Sequence, residues 1–231
     1  SRGVSGVRPW GWSPETLARF SPLLEGEGWP RVSAARLKQL YSKQLGAELM
    51  GAFAKECPEL AGVLGAGALG AAFCSGEEAA RAHAEELLKT HPWVVLKAPF
   101  GTSGRAMLRV NGWAARSASE RGWVERTLRE QGGVVVEPWL DRVCDLSLQL
   151  QVGEPGGKTR PRVTRPLVDR RGQYRGHVLG RPLAQLEPDL LRAIQGDGGR
   201  APSMLKTLES AGRFVGSRLS ELGFRGLCGV D

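Results

Sequence analysis

The sequence predicts an α+β fold of two lobes, with antiparallel sheets and packed helices. Three observations carry that prediction. The apolar run Trp93–Lys97 follows a strongly helical segment and opens into a small glycine-bearing loop. A second β-branched run, Val134–Glu137, follows another helical segment that closes on Gly132-Gly133. Beyond it the chain turns into strands punctuated by turns, then returns to helix.

The elements follow in order. Residues 1–32 hold Trp10, Trp12 and Trp29 among Gly, Pro and Ser, and read as an irregular lead-in. Residues 33–54 read as a helix, with Ser33 as N-cap and Leu37, Leu40, Tyr41 and Leu45 at helical spacing. Residues 58–73 carry no decisive period. Glu77–Lys89 is a helix with acids in its first turn and a lysine at its end. Trp93–Lys97 is apolar almost throughout, as a strand covered on both faces should be, and Ala106–Val110 is a strand after the loop. Ser119–Gln131 is a helix, and Val134–Glu137 a strand. Leu146–Val152 leads through Glu154-Pro155-Gly156-Gly157 into Arg162–Val168, a hairpin with a long turn. Tyr174–Val178 is expected as the third strand of a meander. Leu186–Ile194 and Ser203–Leu222 are helices, Gly223 a helix stop, and Gly226–Asp231 enters a strand. The organisation expected is a lead-in at 1–32, a helical segment and first lobe at 33–133, and a second lobe at 134–231.

Composition narrows the function. The 231 residues suffice for one large domain or two small lobes, and 41% hydrophobic with 24% charged residues is ordinary for a globular protein. No apolar run reaches the roughly 18 residues a membrane helix needs, and no signal-peptide pattern is visible. Cys57, Cys74, Cys144 and Cys228 lie far apart with no CxxC, and there are three histidines, so a Cys/His zinc site has no support. Reduced, packed cysteines point to the cytoplasm. The net charge of +8 permits a nucleic acid, a phosphate or an anionic small molecule as partner.

The chemistry concentrates at a few residues. Lys97 ends a strand and is followed by Gly101-Thr102-Ser103-Gly104-Arg105. A cation on a rigid strand beside exposed backbone N–H groups is a way to hold phosphates. Val136, Glu137, Trp139 and Leu140 end the second run with a carboxylate, backbone groups and apolar side chains, a setting for a nucleotide base. Asp145 follows eight residues after Glu137, with Asp141 as its competitor. Asp231 closes Gly226-x-x-Gly229-x-Asp231. Arg165, Arg170, Arg171, Arg175 and His177 gather on the expected meander, Arg165 among apolar neighbours.

This order resembles an ATP-grasp domain over roughly residues 33–231: helix with lysine, strand with lysine, small loop, strand with glutamate, meander, helix, strand with aspartate. The resemblance implies ATP and Mg2+ as cofactors. Lys43 and Lys97 would be the phosphate lysines, and Gly101, Thr102, Ser103, Gly104 and Arg105 the loop over the phosphates. Val136, Glu137, Trp139 and Leu140 would form the adenine hinge, and Asp145 would be the ribose acid. Asp231 would be the first metal ligand, and Arg165, the first choice for a catalytic residue on the meander, would face the acceptor substrate or the γ-phosphate. Relatives place a glutamate and an asparagine on the next strand; this sequence stops before both and reads as truncated at the metal-binding strand. The implied activity is ATP-dependent activation of a small carboxylate as an acyl phosphate, captured by an amine (free or on a peptide) or a thiol. Two other functions stay open: a non-catalytic nucleotide-binding or interaction module on the same fold, and, ranked third, a basic nucleic-acid-binding protein.

Overall fold

The computed structural model describes residues 14–20, 33–68, 70–102, 104, 106–153, 156–195 and 203–230. The tryptophans of the lead-in lie outside the described residues, but that segment is not wholly irregular: α1 (Pro14–Phe20) forms within it. The single helix expected over 33–54 is two, α2 (Ala34–Leu40) and α3 (Lys43–Glu56). Ser42 causes the break, because its Oγ accepts from the N–H of Gln44 and caps a new helix. The ambiguous stretch resolves into α4 (Pro58–Ala68) and the short strand β1 (Ala72–Cys74).

The first sheet has strand order β1-β4-β2-β3, all antiparallel, with β2 Val94–Lys97, β3 Met107–Val110 and β4 Val134–Pro138. Helices α5 (Glu77–Leu87) and α6 (Ala118–Gln131) cover one face of it. Successive strand residues point to opposite faces. Val94, Leu96, Val134 and Val136 therefore enter a core with Ala80, Ala84 and Val124, while Val95, Lys97, Val135 and Glu137 share the other face. Helix α6 starts on a capping box, Ser117 with Glu120, and ends on Gly132 at φ 79. The expected division put Val134 at the start of the second lobe; the strand instead lies between β1 and β2, so the chain leaves the first sheet after Pro138.

The second sheet has order β6-β5-β9, with β5 Ser147–Val152, β6 Arg160–Thr164 and β9 Gly226–Val230. Its inner face, Leu148, Leu150 and Val152, packs on α8 (Met204–Glu221), preceded in the chain by α7 (Pro188–Gln195). Leu45 of α3 joins this second core. Helix α8 approaches β6 closely through glycines: a Cβ at Gly212 would lie 2.9 Å from Pro161 Cβ, and one at Gly216 2.8 Å from Thr159 Cβ. Pro161 is tolerated because β6 is an edge strand.

The expected three-strand meander does not form. The run 162–168 breaks at Arg165, and β7 (Pro166–Val168) pairs with β8 (Tyr174–His177) as a separate hairpin. Pro166 has no N–H to continue the ladder and restricts the residue before it.

Candidate functional site

The residues expected at a phosphate site converge on the face of the first sheet opposite α5 and α6, where Val95 and Val135 are buried and Lys97 and Glu137 are partly exposed. In the β2–β4 register Lys97 lies opposite Val135 and Glu137 opposite Val95, so Lys97 and Glu137 are diagonal neighbours on one face. Their side chains form an ion pair, Nζ to Oε1, with 29% and 26% of each exposed, so both stay within reach of a ligand.

The loop after Lys97 has a tight neck. The Ala98 N–H donates to Ala106 O at 2.9 Å and the Gly101 N–H to Ala98 O at 3.1 Å. A Cβ at Gly101 would sit 2.9 Å from that of Ala106, so the neck needs a glycine there. Lys43 reaches the same loop from α3. Its backbone N–H donates to Pro99 O at 2.9 Å, and its ammonium donates to Gly101 O. A lysine at a helix N-terminus works against the helix dipole; here the position places a second cation on the loop. Thr102 is exposed. Gly104, at φ +69, packs backbone to backbone on Gly172 of the β7–β8 turn, where any side chain would overlap Gly172 O. Ser103, Arg105 and Asp231 lie outside the described residues.

The hinge residues divide by role. Val136 is fully buried in the first core, on a strand with a neighbour at each edge, so its side chain forms no part of the Lys97 face. The Trp139 N–H is already engaged, donating to Trp93 O at 2.9 Å. Leu140 is exposed at 42%. Asp145 pairs with Arg142 at 3.4 Å. Arg165 stands apart, at the break between β6 and β7. Its carbonyl accepts from the Val178 N–H, and its Nε is buried with no partner among the described residues. Burial raises the nearby Cys144 thiol above its usual value, against the opposing pull of the Arg165 charge.

The structure adds residues that the sequence reading did not select. Met107 lies opposite Lys97 and Arg109 opposite Val95, so both share the Lys97 face. The two-residue period counted outward from the β2–β3 pairing would have found them. The β7–β8 turn falls where the sequence predicts one, at residues 169–172, but Asp169 was not selected as a site residue. Asp169 Oδ1 accepts from the N–H groups of Arg171 at 2.9 Å and Gln173 at 3.0 Å, and Oδ2 from Arg175 at 2.7 Å. Its tip, Gly172, borders Met107 and Trp139. Behind the loop a cavity of about 260 Å³ is lined by Lys38, Gln44, Glu48, Phe100 and Gln131 among others, and by none of the expected site residues. The described residues gather no three His, Cys, Asp or Glu side chains able to hold a metal ion. They include no helix long and apolar enough to cross a membrane.

Two antiparallel sheets, one bearing a strand lysine and a glycine loop and the other backed by a long helix, define an ATP-grasp fold, and the chain has that fold. The biotin carboxylase domain of Hydrogenobacter thermophilus 2-oxoglutarate carboxylase, in complex with MgADP, ADP and bicarbonate, matches at TM-score 0.53 and 17% identity, over 91% of this chain and 41% of that one. Rhizobium etli pyruvate carboxylase with acetyl coenzyme-A matches at TM-score 0.56 and 17% identity, over 95% of this chain and 17% of that one. Campylobacter jejuni biotin carboxylase in an ATP complex matches at TM-score 0.50 and 16% identity, over 85% and 38%. The chain thus spans less than half the length of each. No protein-family model and no curated protein matches the sequence.

Proposed function

We propose that the chain is the ATP-binding portion of a ligase that activates a small carboxylate as an acyl phosphate, for capture by an amine or a thiol. The observation that carries this reading is the convergence of Lys97, Lys43 and the Gly101–Gly104 loop at one end of a face that also presents Glu137. On an ATP-grasp fold this is where a triphosphate would lie, and solved relatives are described with ADP, magnesium and bicarbonate. Lys97 would neutralise phosphate charge from a rigid strand, and the loop would present backbone N–H groups. The contact of Gly104 with the Asp169 turn would shield a reactive acyl phosphate from water.

Glu137 and Leu140 would border the base, and Asp145 would face the ribose. Arg165, with its buried and unpartnered Nε, would hold the substrate carboxylate through its planar fork. Magnesium would neutralise charge developing on the phosphates. Asp231 is the ligand proposed for it. The cytoplasm is the proposed compartment.

The test is calorimetric titration of the chain with ATP and magnesium, on the wild type and on Lys97→Ala. Micromolar to millimolar binding that Lys97→Ala weakens at least about tenfold supports the reading. A folded wild type that binds no nucleotide overturns it. Phosphate release that depends on added carboxylate separates a ligase from a non-catalytic nucleotide module.

A further inference from the structure

Arg109 extends from β3 on the Lys97 face, and its guanidinium lies over two indoles, 4.7 Å from the centre of the Trp93 ring and 5.2 Å from that of Trp139. Arg142 lies 4.9 Å from the same Trp139 ring. Two guanidiniums thus share one indole, and Arg142 also meets Asp145 at 3.4 Å. Among the described residues no carboxylate pairs with Arg109, although the residue is exposed.

A cation–π contact draws on the charge of a guanidinium and occupies none of its donors with a carboxylate, so its N–H fork can still meet an oxyanion. A surface arginine ordinarily loses side-chain freedom when it grips an anion; one already fixed by two rings loses less, which favours binding. Gly172 bounds the space beside Arg142 with backbone alone: a Cβ there would come within 3.7 Å of its Nη2. We infer that Arg109, held by Trp93 and Trp139 and flanked by Arg142, forms an oxyanion site for a carboxylate or phosphate group, separate from the phosphate loop. Register sets Arg109 one step from Lys97: Met107, not Arg109, lies opposite the lysine, and two residues along a strand span about 7 Å. Gly172, which bounds the site, also meets Gly104 of the loop, so competition by ADP is the deciding test of separation. The site does not depend on the nucleotide reading above.

The test follows the Arg109 side-chain Nε–H resonance by NMR in the full chain, identified by its loss in Arg109→Lys. Inorganic phosphate and malonate are titrated separately at constant ionic strength. A saturable shift, with affinity reduced about tenfold or more in Arg142→Ala, supports the site, and the stronger of the two ions identifies the source of the oxyanion. A thermal melt of each variant confirms folding; should Arg142→Ala fail to fold, Arg142→Lys takes its place, since it keeps the charge and loses the fork. A linear shift matching that of chloride overturns the site. Repeating the titration with saturating ADP tests separation: a retained shift supports it, and an abolished one assigns Arg109 to the nucleotide and overturns it. If ADP does not bind, the nucleotide reading fails while the anion titration still decides the oxyanion site.

Discussion

Lys97 and Glu137 occupy neighbouring antiparallel strands one diagonal step apart, and their side chains form a half-buried ion pair on the face of the first sheet opposite α5 and α6. The pairing follows from the two-residue strand period and from a register in which Lys97 meets Val135. It fixes a cation at the mouth of the glycine loop and ties the phosphate-side lysine to the proposed base-side glutamate.

Lys97→Ala is expected to cost on the order of 2–4 kcal/mol of transition-state binding in any ATP-dependent turnover, the scale for loss of an electrostatic donor. Glu137→Ala should weaken nucleotide binding less, because it removes the partner that orients the lysine. A double-mutant cycle on stability should give a coupling of about 1 kcal/mol or less, since both groups are partly in solvent. Chemical denaturation of the four proteins measures the coupling. Wild-type turnover by Lys97→Ala would remove the lysine from the phosphate site.

The Asp169 turn should be sensitive to acid. The Gln173 N–H holds the Asp169 carboxyl below its usual range, with Arg175 and the Arg171 N–H adding to the effect. A lowered folded value means the turn's stabilisation is fully present above the ordinary aspartate value of about 4. It is lost as pH falls through the lowered value. Amide shifts of Arg171 and Gln173, followed by NMR from pH 6 downward, should titrate together with a midpoint below about 4. A midpoint at or above that value would show that the carboxylate does not hold the turn.

Much of the fold was legible because the strongest signals were local. The apolar runs at Val94 and Val134, the cap at Ser33 and the stop at Gly132 each specify an element through its own residues. What escaped the sequence depended on partners. Val136 was expected at the hinge surface, but the strand order buries it, and nothing in the run Val134–Glu137 says which face α5 and α6 will cover. The three-strand meander failed at Pro166, a breaker inside a run that otherwise reads as strand. Near Lys97, the turn after the strand was legible from its glycines. Arg109 was not, because its place on the Lys97 face exists only through the β2–β3 register.

Two glycine substitutions should act in opposite directions. A methyl at Gly216 would overlap the Thr159 side chain, and the helix cannot withdraw without opening the second core. Gly216→Ala is expected to destabilise by about 1–3 kcal/mol, as overpacking does. Gly51 lies inside α3 with nothing near its missing Cβ, so Gly51→Ala should stabilise by roughly 0.5–1 kcal/mol through helix propensity. Urea denaturation of both variants checks the pair, and equal effects would mean that α8 does not approach β6 as closely as described.

Cys228 should be the slow thiol of the second lobe. It lies on β9 opposite Leu150 and packs against the second core, and burial pushes its thiol up to about 11 from the usual 9.0. Alkylation proceeds through the thiolate, so at pH 8 the reactive fraction should be roughly a hundredfold smaller than for an ordinary cysteine. Iodoacetamide labelling followed by mass spectrometry, with glutathione as reference, measures the ratio in the native state. Labelling in urea should restore the ordinary rate, because unfolding removes the burial that raises the thiol. A native rate equal to that of glutathione would mean that the β5–β9 pairing opens readily, and with it the strand that leads into Asp231.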